Sequence, residues 1–394
     1  MAFSKLFAED RVLNCEVMIV GGGPAGISTW LHLQKYAPEL AGHSLVIEKA
    51  VFPRDKLCAG GIGGWCTDVF EHLEIELEIP SLVVSDVEFR FGRETFNLHR
   101  PNLFRVVQRM DFDHVLAQTA LNRGLKLQEG ETLVDVTREN NRLIVTTSRR
   151  KYRVRILIGA DGAFSAVRRK TMPPHQLCLA PTLEVFAKVN AGYESEFSEK
   201  QMVVDLTPVK EGLQGYIWHI PCLRNNTPSI IHGICDFHLH RDQPRANMKI
   251  LLQRELEARK IYPEPESYHS YPIRYYSNEN PISQPNTLLV GDAAGIEPAF
   301  GGGIHIALSY GELAARAIMD AFQYKNFSFT DYKKRLNSHL IGEWIAECTS
   351  LALEMYGGKR HPLDVARMLF SDRRLPRQLV SQMLVEITDK LKPR

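Results

Sequence analysis

Three glycines near the start of the chain are spaced for close contact with a phosphate group. Gly21, Gly23 and Gly26 form a G-x-G-x-x-G pattern directly after the apolar run 17–20. In this pattern the first glycine allows a tight turn, the second lets a pyrophosphate approach the backbone, and the third lets a helix pack closely against a strand. The helix that follows would present unpaired N–H groups and its positive dipole end to the phosphates. The spacing therefore predicts a strand, a turn and a helix that bind a dinucleotide.

An acidic residue follows at the distance that a ribose contact requires. Residues 44–47 read as a second buried strand that ends in Glu48. A carboxylate about 20 residues beyond the glycines accepts hydrogen bonds from ribose hydroxyls, which favours an unphosphorylated adenosine ribose, as in FAD or NAD. A glycine-rich turn that binds nothing is the alternative for an isolated motif. Here strand, turn, helix, second strand and acid occur in register, which favours the dinucleotide.

Two further carboxylates stand where strands end. Asp161 follows the strand 152–158, and Asp292 follows the buried run 287–290. Ligands of open α/β sheets bind at the carboxyl ends of the strands, so both residues are candidates for the same site. Gly301 to Gly303 then lead into a long helix that is predicted to reach about Phe322. Backbone N–H groups at its start would stabilise negative charge on a reduced flavin.

The loop 52–64 combines glycines with basic residues. Arg54, Lys56 and Cys58 precede a run that contains four glycines. This composition indicates backbone lying against a flat ligand, and a mobile surface loop is the alternative. Cys58 is either a reactive thiol or a packed side chain. Arg109 stands just before a predicted helix over 111–124, where it is either a phosphate or ribityl contact or a solvated surface residue.

Composition excludes several classes of protein. With 394 residues, 44% of them hydrophobic and 24% charged, the chain is long enough for two globular domains. A net charge of +2 is too small to indicate a surface that binds nucleic acid. Seven cysteines without a C-x-x-C pair disfavour a disulfide framework or a metal site, so we expect a reducing, cytoplasmic setting. Residues 1–11 do not resemble a signal peptide, and no apolar run approaches the ~20 residues that span a bilayer. Peripheral membrane contact stays open.

An aromatic strip in the middle of the chain is a candidate cavity wall. In the run 215–221, Tyr216, Trp218 and Ile220 would lie on one face of a strand and His219 on the other. The strip would line an apolar substrate cavity, and an ordinary sheet core is the alternative. His219 is expected to be a surface or packed residue.

The order of the motifs resembles that of FAD enzymes of the para-hydroxybenzoate hydroxylase type. The resemblance covers about 320 residues and implies that the first motif holds the ADP part of FAD. It also implies that Arg109 and Asp161 lie near FAD and that Asp292 binds the ribityl chain. This family has no separate nicotinamide-binding domain, and the present chain likewise shows one complete G-x-G-x-x-G unit.

Two segments are similar to those of geranylgeranyl reductases. Residues 52–61 resemble that family's Pro-Arg-x-Lys-x-Cys-Gly-Gly loop, and residues 216–221 resemble its Tyr-x-Trp-x-Phe-Pro segment, which lines a prenyl-chain cavity. The sequence departs from the family at Ala59, where glycine is common, and at 233–235, which lacks a second glycine. The loop after Gly295 is also one residue shorter than usual.

One segment instead is similar to flavin-dependent halogenases. Residues 298–307 resemble the halogenase Pro-x-x-Ser-x-Gly-Val-His-Leu-Ala segment. The Gly-Glu-Ser loop and associated lysine expected of a halogenase near residues 55–62 are not found.

These resemblances imply an α/β fold with three parts. A Rossmann-like FAD-binding domain is expected from residues 1–79, 104–171 and 276–330. A second, mostly antiparallel β-sheet substrate domain is expected from 80–103 and 172–275, and a C-terminal helical segment from 331–394. The last part includes an apolar stripe formed by Leu379, Met383, Ile387 and Leu391.

The expected function is FAD-dependent reduction or dehydrogenation of a carbon–carbon bond in a hydrophobic, prenyl-like substrate. NADPH, NADH or another electron donor would act as transient reductant. The alternatives are a flavin monooxygenase or halogenase-like enzyme on an aromatic or carrier-tethered substrate, and a membrane-peripheral electron carrier.

The predicted site residues follow from these motifs. The cofactor-binding residues are Gly21, Gly23, Pro24, Ala25, Gly26, Glu48, Lys49, Arg54, Lys56, Cys58, Ala59, Gly60, Arg109, Asp161, Gly162, Gly291, Asp292, Gly302, Gly303 and Ile304. Cys58, Gly302 and Gly303 are also the predicted catalytic residues, and Tyr216 and Trp218 are the predicted substrate contacts. The sequence identifies no proton donor and no metal ligand.

Overall fold

The computed structural model describes residues 12–189 and 195–371. The predicted stripe of Leu379, Met383, Ile387 and Leu391 lies outside the described residues, as does the N-terminal segment 1–11.

Strands and helices alternate through the first part of the chain, as the sequence predicts. The strands are β1 (Leu13–Val20), β2 (Ser44–Glu48), β3 (Gly61–Gly63), β4 (Ser81–Phe91), β5 (Glu94–Val107), β6 (Leu127–Glu129), β7 (Leu133–Glu139), β8 (Arg142–Thr147), β9 (Lys151–Gly159), β10 (Leu179–Ala180), β11 (Thr182–Lys188), β12 (Gln201–Asp205), β13 (Ile217–Arg224), β14 (Thr227–Cys235), β15 (Ile273–Arg274), β16 (Ser283–Gln284) and β17 (Thr287–Leu289). The helices are α1 (Pro24–Tyr36), α2 (Pro38–Gly42), α3 (Gly64–Leu73), α4 (Arg109–Asn122), α5 (Ala166–Thr171), α6 (Ser195–Ser198), α7 (Met248–Ala258), α8 (Gly303–Gln323), α9 (Tyr332–Asn337), α10 (Leu340–Tyr356) and α11 (Pro362–Ser371).

The first sheet brings the predicted ligand-binding motifs to one edge. Its main strands run in the order β16-β17-β9-β1-β2-β6, and the hairpin β7-β8 joins it beside β9. β1 is parallel to both β2 and β9, and β17 is parallel to β9. Val20 therefore pairs with Ile47 on one side and with Gly159 on the other. The glycine turn, Glu48, Asp161 and Asp292 consequently follow strand ends that meet at the same edge.

The second sheet is mostly antiparallel, with the order β11-β14-β13-β12-β4-β5-β3. Within this second sheet, β12 and β4 form the only parallel pair among the described residues, and the other neighbouring strands are antiparallel. Residues 61–63 and 104–106, which the domain boundaries predicted from the sequence assign to the FAD-binding domain, pair with each other in this sheet. The expected α/β class with a Rossmann-like sheet and a second antiparallel sheet is confirmed, and the domain boundaries stay a prediction.

Helices cover one face of the second sheet. α10 and α11 contribute Leu351, Met355 and Leu363 to an apolar core that also contains Val87 of β4. The ring of Phe370 stacks on that of Phe89 with 5.1 Å between centroids. Residues from the end of the described chain thus close a space beneath the sheet.

Candidate functional site

The glycine turn has two structural glycines and one that opens toward the site. Gly21 has a φ of +108°, and a Cβ there would lie 2.4 Å from the Ala160 carbonyl oxygen. A Cβ on Gly26 would lie 2.0 Å from the Gly21 oxygen. For Gly23 the nearest atom would be Nη2 of Arg54 at 3.6 Å. Gly21 and Gly26 therefore allow close packing, whereas Gly23 leaves room for a ligand at the start of α1.

Glu48 lies at the end of β2 with its carboxylate already oriented. One carboxylate oxygen accepts a hydrogen bond from the Gly22 N–H at 2.8 Å, and the other accepts one from the Ala50 N–H at 3.0 Å. Nε of Arg54 stands 3.7 Å from the carboxylate. Glu48 is thus fixed beside the glycine turn, as the ribose contact requires.

The sequence analysis missed Asp113, which organises two arginines of the site. Arg109 donates two hydrogen bonds to the carboxylate of Asp113, at 2.7 and 2.8 Å. Nη2 of Arg54 lies 3.1 Å from the same carboxylate, whose side chain is fully buried. Burial lowers the pKa of Arg109, but the charge and hydrogen bonds of Asp113 outweigh it and raise the pKa. Asp113 thus holds two guanidinium groups beside the turn, where their N–H donors suit a pyrophosphate.

The loop 54–60 lines the site. The Gly60 N–H donates to Sγ of Cys58 at 3.4 Å, and Cys58 also interacts with Arg109. The ammonium of Lys56 stands 2.9 Å from the ring centroid of Tyr271. Burial lowers the pKa of Lys56 to about 8, although the charge of Asp292 opposes this shift. Most residues of this loop are half-buried and line the cavity, so the loop is packed against the site.

Asp161 and Asp292 have different surroundings. One oxygen of Asp161 accepts from the N–H groups of Ala166 and Val167, at 2.6 and 3.1 Å, so the carboxylate caps the start of α5. Its other oxygen, Oδ1, has no hydrogen-bond partner among the described residues. Burial raises the pKa of Asp292, while the charges of Lys56 and Arg109 lower it. Asp161 therefore has a structural role in addition to any contact that its free oxygen makes.

A second carboxyl group that the sequence analysis missed lies at the start of α8. Oε1 of Glu297 accepts a hydrogen bond from the Gly301 N–H at 2.9 Å, and the Gly303 N–H also bonds to this carboxyl. Burial raises the pKa of Glu297 to about 8, and the charge of Asp292 adds to the shift. N–H groups that were predicted to face negative charge thus hold the chain's own carboxyl group.

The aromatic strip forms part of an apolar wall. The rings of Tyr216 and Trp218 lie 5.8 Å apart between centroids, and both residues line the same cavity as the glycine turn. Helices α10 and α11 add Trp344, Cys348, Pro362, Ala366 and Phe370 to this wall. No sequence pattern predicts these residues as part of the site, because only tertiary folding brings them beside β13.

His219 lies on the opposite face of β13, as the alternation predicts. It is fully buried, with Nδ1 2.7 Å from Nδ1 of His232 and Nε2 3.2 Å from Glu255. His219 is therefore a packed residue outside the cavity.

A continuous cavity of about 800 Å³ joins the glycine turn, the loop 54–60, the start of α8 and the aromatic strip. Its lining includes every predicted site residue except Gly26, which lies behind the turn. Glu297 and Glu184 also line it. The half near α1 is polar, and the half beneath the second sheet is apolar.

This arrangement fits FAD. α1 begins after Gly23 without a side chain that caps its N–H groups, and Gly23 leaves space at that point. Nε of Arg54 and Oδ1 of Asp161 are buried and have no hydrogen-bond partner in the part of the chain that the structure describes. A pyrophosphate and polar flavin groups would supply such partners.

Comparison with known families agrees with this fit. A family model described as FAD binding domain matches residues 14–309, so the chain belongs to this family of FAD-binding proteins. It is an FAD-dependent oxidoreductase.

Relatives and similar structures include reductases and a halogenase. Digeranylgeranylglycerophospholipid reductase 3 of Methanosphaera stadtmanae is 22% identical over 415 residues, which cover 98% of this chain and 97% of that protein. A geranylgeranyl bacteriochlorophyll reductase-like protein of Thermoplasma acidophilum has a TM-score of 0.69 at 20% identity, covering 96% of this chain and 100% of that one. The flavin-dependent halogenase CmlS has a TM-score of 0.64 at 18% identity, covering 94% and 72%. The resemblances to geranylgeranyl reductases and to flavin-dependent halogenases that were stated from the sequence are confirmed.

Within residues 12–189 and 195–371, no helix is both long and apolar enough to cross a bilayer.

Proposed function

We propose that this oxidoreductase reduces or dehydrogenates a carbon–carbon bond in a hydrophobic, prenyl-like substrate. The observation that carries the proposal is the single cavity, which runs from the glycine turn to the apolar wall of Tyr216 and Trp218. A lipid-reducing enzyme needs both halves, because cofactor and hydrocarbon must meet in a space that excludes water. The reductase names of the relatives support the same substrate class.

Several residues have proposed roles toward FAD. The start of α1 at Gly23 and the pair Arg54 and Arg109 would bind the pyrophosphate. Glu48 would bind the ribose, and Asp292 the ribityl chain. When bound, FAD supplies hydride transfer to or from the substrate. NADPH, NADH or another electron donor would serve as transient reductant.

Other residues would shape the reacting end of the cavity. Cys58, Ala59 and Gly60 would lie along the flavin. The positive dipole end of α8 at Gly302 and Gly303 would offset negative charge on it, although Glu297 already accepts a hydrogen bond from the Gly303 N–H. Tyr216 and Trp218 would hold the hydrocarbon. We also propose that the protein contacts a membrane surface, from which such substrates come.

The test is product analysis with the FAD-loaded protein. The protein is reduced without oxygen and mixed with prenyl lipids or with aromatic compounds, and products are identified by mass spectrometry. We expect a prenyl product heavier by two hydrogens, together with reoxidation of the flavin. Protein stripped of FAD is the control and should give no product.

Other outcomes would replace this proposal. A product that gains oxygen or halogen, with a stabilised oxygen adduct in stopped-flow oxidation, would identify a monooxygenase or halogenase. Electron exchange with a quinone or protein, with no altered small molecule, would identify an electron carrier.

A further inference from the structure

Two polar groups in the apolar half of the cavity are left without a partner. Oε2 of Glu184 and Nε1 of Trp218 are buried, and neither forms a hydrogen bond with any described residue. Both residues line the cavity and are only 4% and 6% exposed. A buried polar group without a partner is costly, so such groups indicate a bound molecule.

Strand pairing places the two groups side by side. Glu184 of β11 pairs with Gly233 of β14, and Gly233 pairs with Trp218 of β13. Residues directly opposite one another in adjacent strands point to the same face of the sheet. Glu184 and Trp218 therefore flank Gly233 on the face that forms the cavity wall.

Gly233 lets the indole lie over the gap between these strands. A Cβ at Gly233 would stand 2.3 Å from Cζ2 of Trp218 and 2.8 Å from its Nε1. Any larger residue would displace the ring. The absence of a side chain at Gly233 thus directs the indole N–H into the space beside Glu184.

The chemistry of the pair selects its ligand. An indole N–H can only donate a hydrogen bond, whereas the Glu184 carboxyl, whose pKa burial raises to about 7, accepts when ionised and can both donate and accept when protonated. A hydroxyl group both accepts and donates, so one hydroxyl satisfies both side chains. Beyond Trp218 the row continues with the apolar residues Val204 and Phe89, whereas on its other side Glu184 pairs with His269. An anionic headgroup would face the Glu184 carboxyl, with Lys56 as the cation that acts on it.

We propose that Glu184 and Trp218 bind a hydroxyl group that the hydrophobic substrate carries inside the cavity. The substrate is then a hydrophobic alcohol whose oxygen is buried, and not a lipid whose polar group remains at the cavity mouth. This inference rests on the proposed function, because it names the substrate class for the same cavity.

The test compares three ligands that differ only in the polar end. A labelled prenyl alcohol, the hydrocarbon in which hydrogen replaces its hydroxyl, and its monophosphate are each bound to the FAD-loaded protein, and free ligand is measured by ultrafiltration. Two net hydrogen bonds predict that the alcohol binds about tenfold or more tightly than the hydrocarbon. Trp218→Phe and Glu184→Leu should each remove most of this preference while hydrocarbon binding changes little. Glu184→Gln retains an acceptor oxygen and should keep much of the preference.

The matched control removes a different indole N–H. Trp30 of α1 is also buried with an unpartnered Nε1, but it lies outside the cavity lining. Trp30→Phe should therefore leave the preference unchanged. FAD content and thermal unfolding of each variant identify any that fails to fold, and the comparison among ligands on the wild-type protein does not depend on variants.

Four results would overturn the inference. On the wild-type protein, these are equal binding of alcohol and hydrocarbon, tightest binding of the monophosphate, and no binding of any of the three ligands. The fourth is that the Trp218→Phe and Glu184→Leu variants keep the preference for the alcohol, or lose FAD while they keep that preference. The proposed function can fail separately, because it is decided by product formation with a wider set of substrates, whereas this test measures binding alone.

Discussion

The two halves of the cavity differ in how their polar groups are satisfied. In the cofactor half, Glu48 is held by two backbone N–H groups, Asp113 by two arginines, and Glu297 by the start of α8. In the apolar half, Oε2 of Glu184 and Nε1 of Trp218 have no such partner among the described residues. The cofactor half is therefore largely organised by the protein itself, although Nε of Arg54 and Oδ1 of Asp161 there also lack a hydrogen bond, whereas the polar groups of the apolar half depend on a ligand.

This difference predicts that residues of the cofactor half affect the stability of the fold, whereas residues of the apolar half affect which ligand binds. Residues that organise the cofactor half are tied into the fold, so changing them should lower the free energy of unfolding as well as FAD binding. Residues that face only the ligand should be replaceable with small effects on stability. The changes below test this separation.

The largest loss of stability is expected from Asp113→Asn. The change leaves two buried guanidinium groups facing each other without the carboxylate that compensates their charge. Removing one partner of a buried ion pair costs about 3–5 kcal/mol, and the position of this cluster at a cavity points to the lower value. Denaturant unfolding of the FAD-free protein measures the effect. Asp111→Asn on the same helix is the control, since its contact with Gln108 is long at 3.5 Å. A loss below about 1 kcal/mol would contradict the role of Asp113 as organiser.

Two glycines of one turn should respond differently to the same substitution. Gly26→Ala places a Cβ 2.0 Å from a backbone oxygen and should cost about 1–3 kcal/mol of unfolding free energy. Gly23→Ala has room, with its nearest neighbour at 3.6 Å, and should leave stability nearly unchanged while weakening FAD binding. Thermal unfolding and FAD titration of both variants give the comparison. If Gly23→Ala bound FAD as the wild type does, the pyrophosphate would not lie at Gly23.

The cofactor half was readable from the sequence because its signals are local. The glycines, Glu48, Asp161 and Asp292 each follow a strand end, and parallel pairing then brings them together. Asp113 was not predicted as a site residue, although its i, i+4 spacing from Arg109 on α4 is a recognisable signal for an ion pair.

The remaining features depend on tertiary contacts. Glu297 reads as an ordinary loop residue until the chain folds back so that its carboxyl reaches the Gly301 N–H. Trp344 and Ala366 approach Trp218 from more than about a hundred residues away along the chain, a distance at which periodicity carries no information. The position of Glu184 in the cavity wall follows from the register of β11 with β14, which the sequence alone does not specify.

Glu297 should make the stability of the FAD-free protein depend on pH. Its pKa rises from an ordinary 4.5 to about 8 in the folded state, chiefly because of burial. Between these values the unfolded chain releases the proton and the folded chain keeps it, so stability falls as pH rises, by at most about 1.4 kcal/mol per pH unit. Above pH 8 this dependence ends. Glu297→Gln should remove it, and the difference between the unfolding curves of variant and wild type isolates it from other buried acids. Exposed Glu39→Gln is the control, and parallel curves for wild type and Glu297→Gln would show that Glu297 is ionised throughout.

The smallest effect on stability is expected in the apolar half, where Ala366→Leu enlarges a residue of α11 that lines the cavity. The added side chain occupies space that a hydrocarbon would fill, so we expect about tenfold weaker binding of a prenyl ligand, with FAD content unchanged. Ala258→Leu on α7, an exposed position away from the cavity, is the matched control. Unchanged ligand affinity in Ala366→Leu would mean that the substrate does not reach α11. Loss of FAD together with the ligand would mean that the two halves of the cavity are not separable.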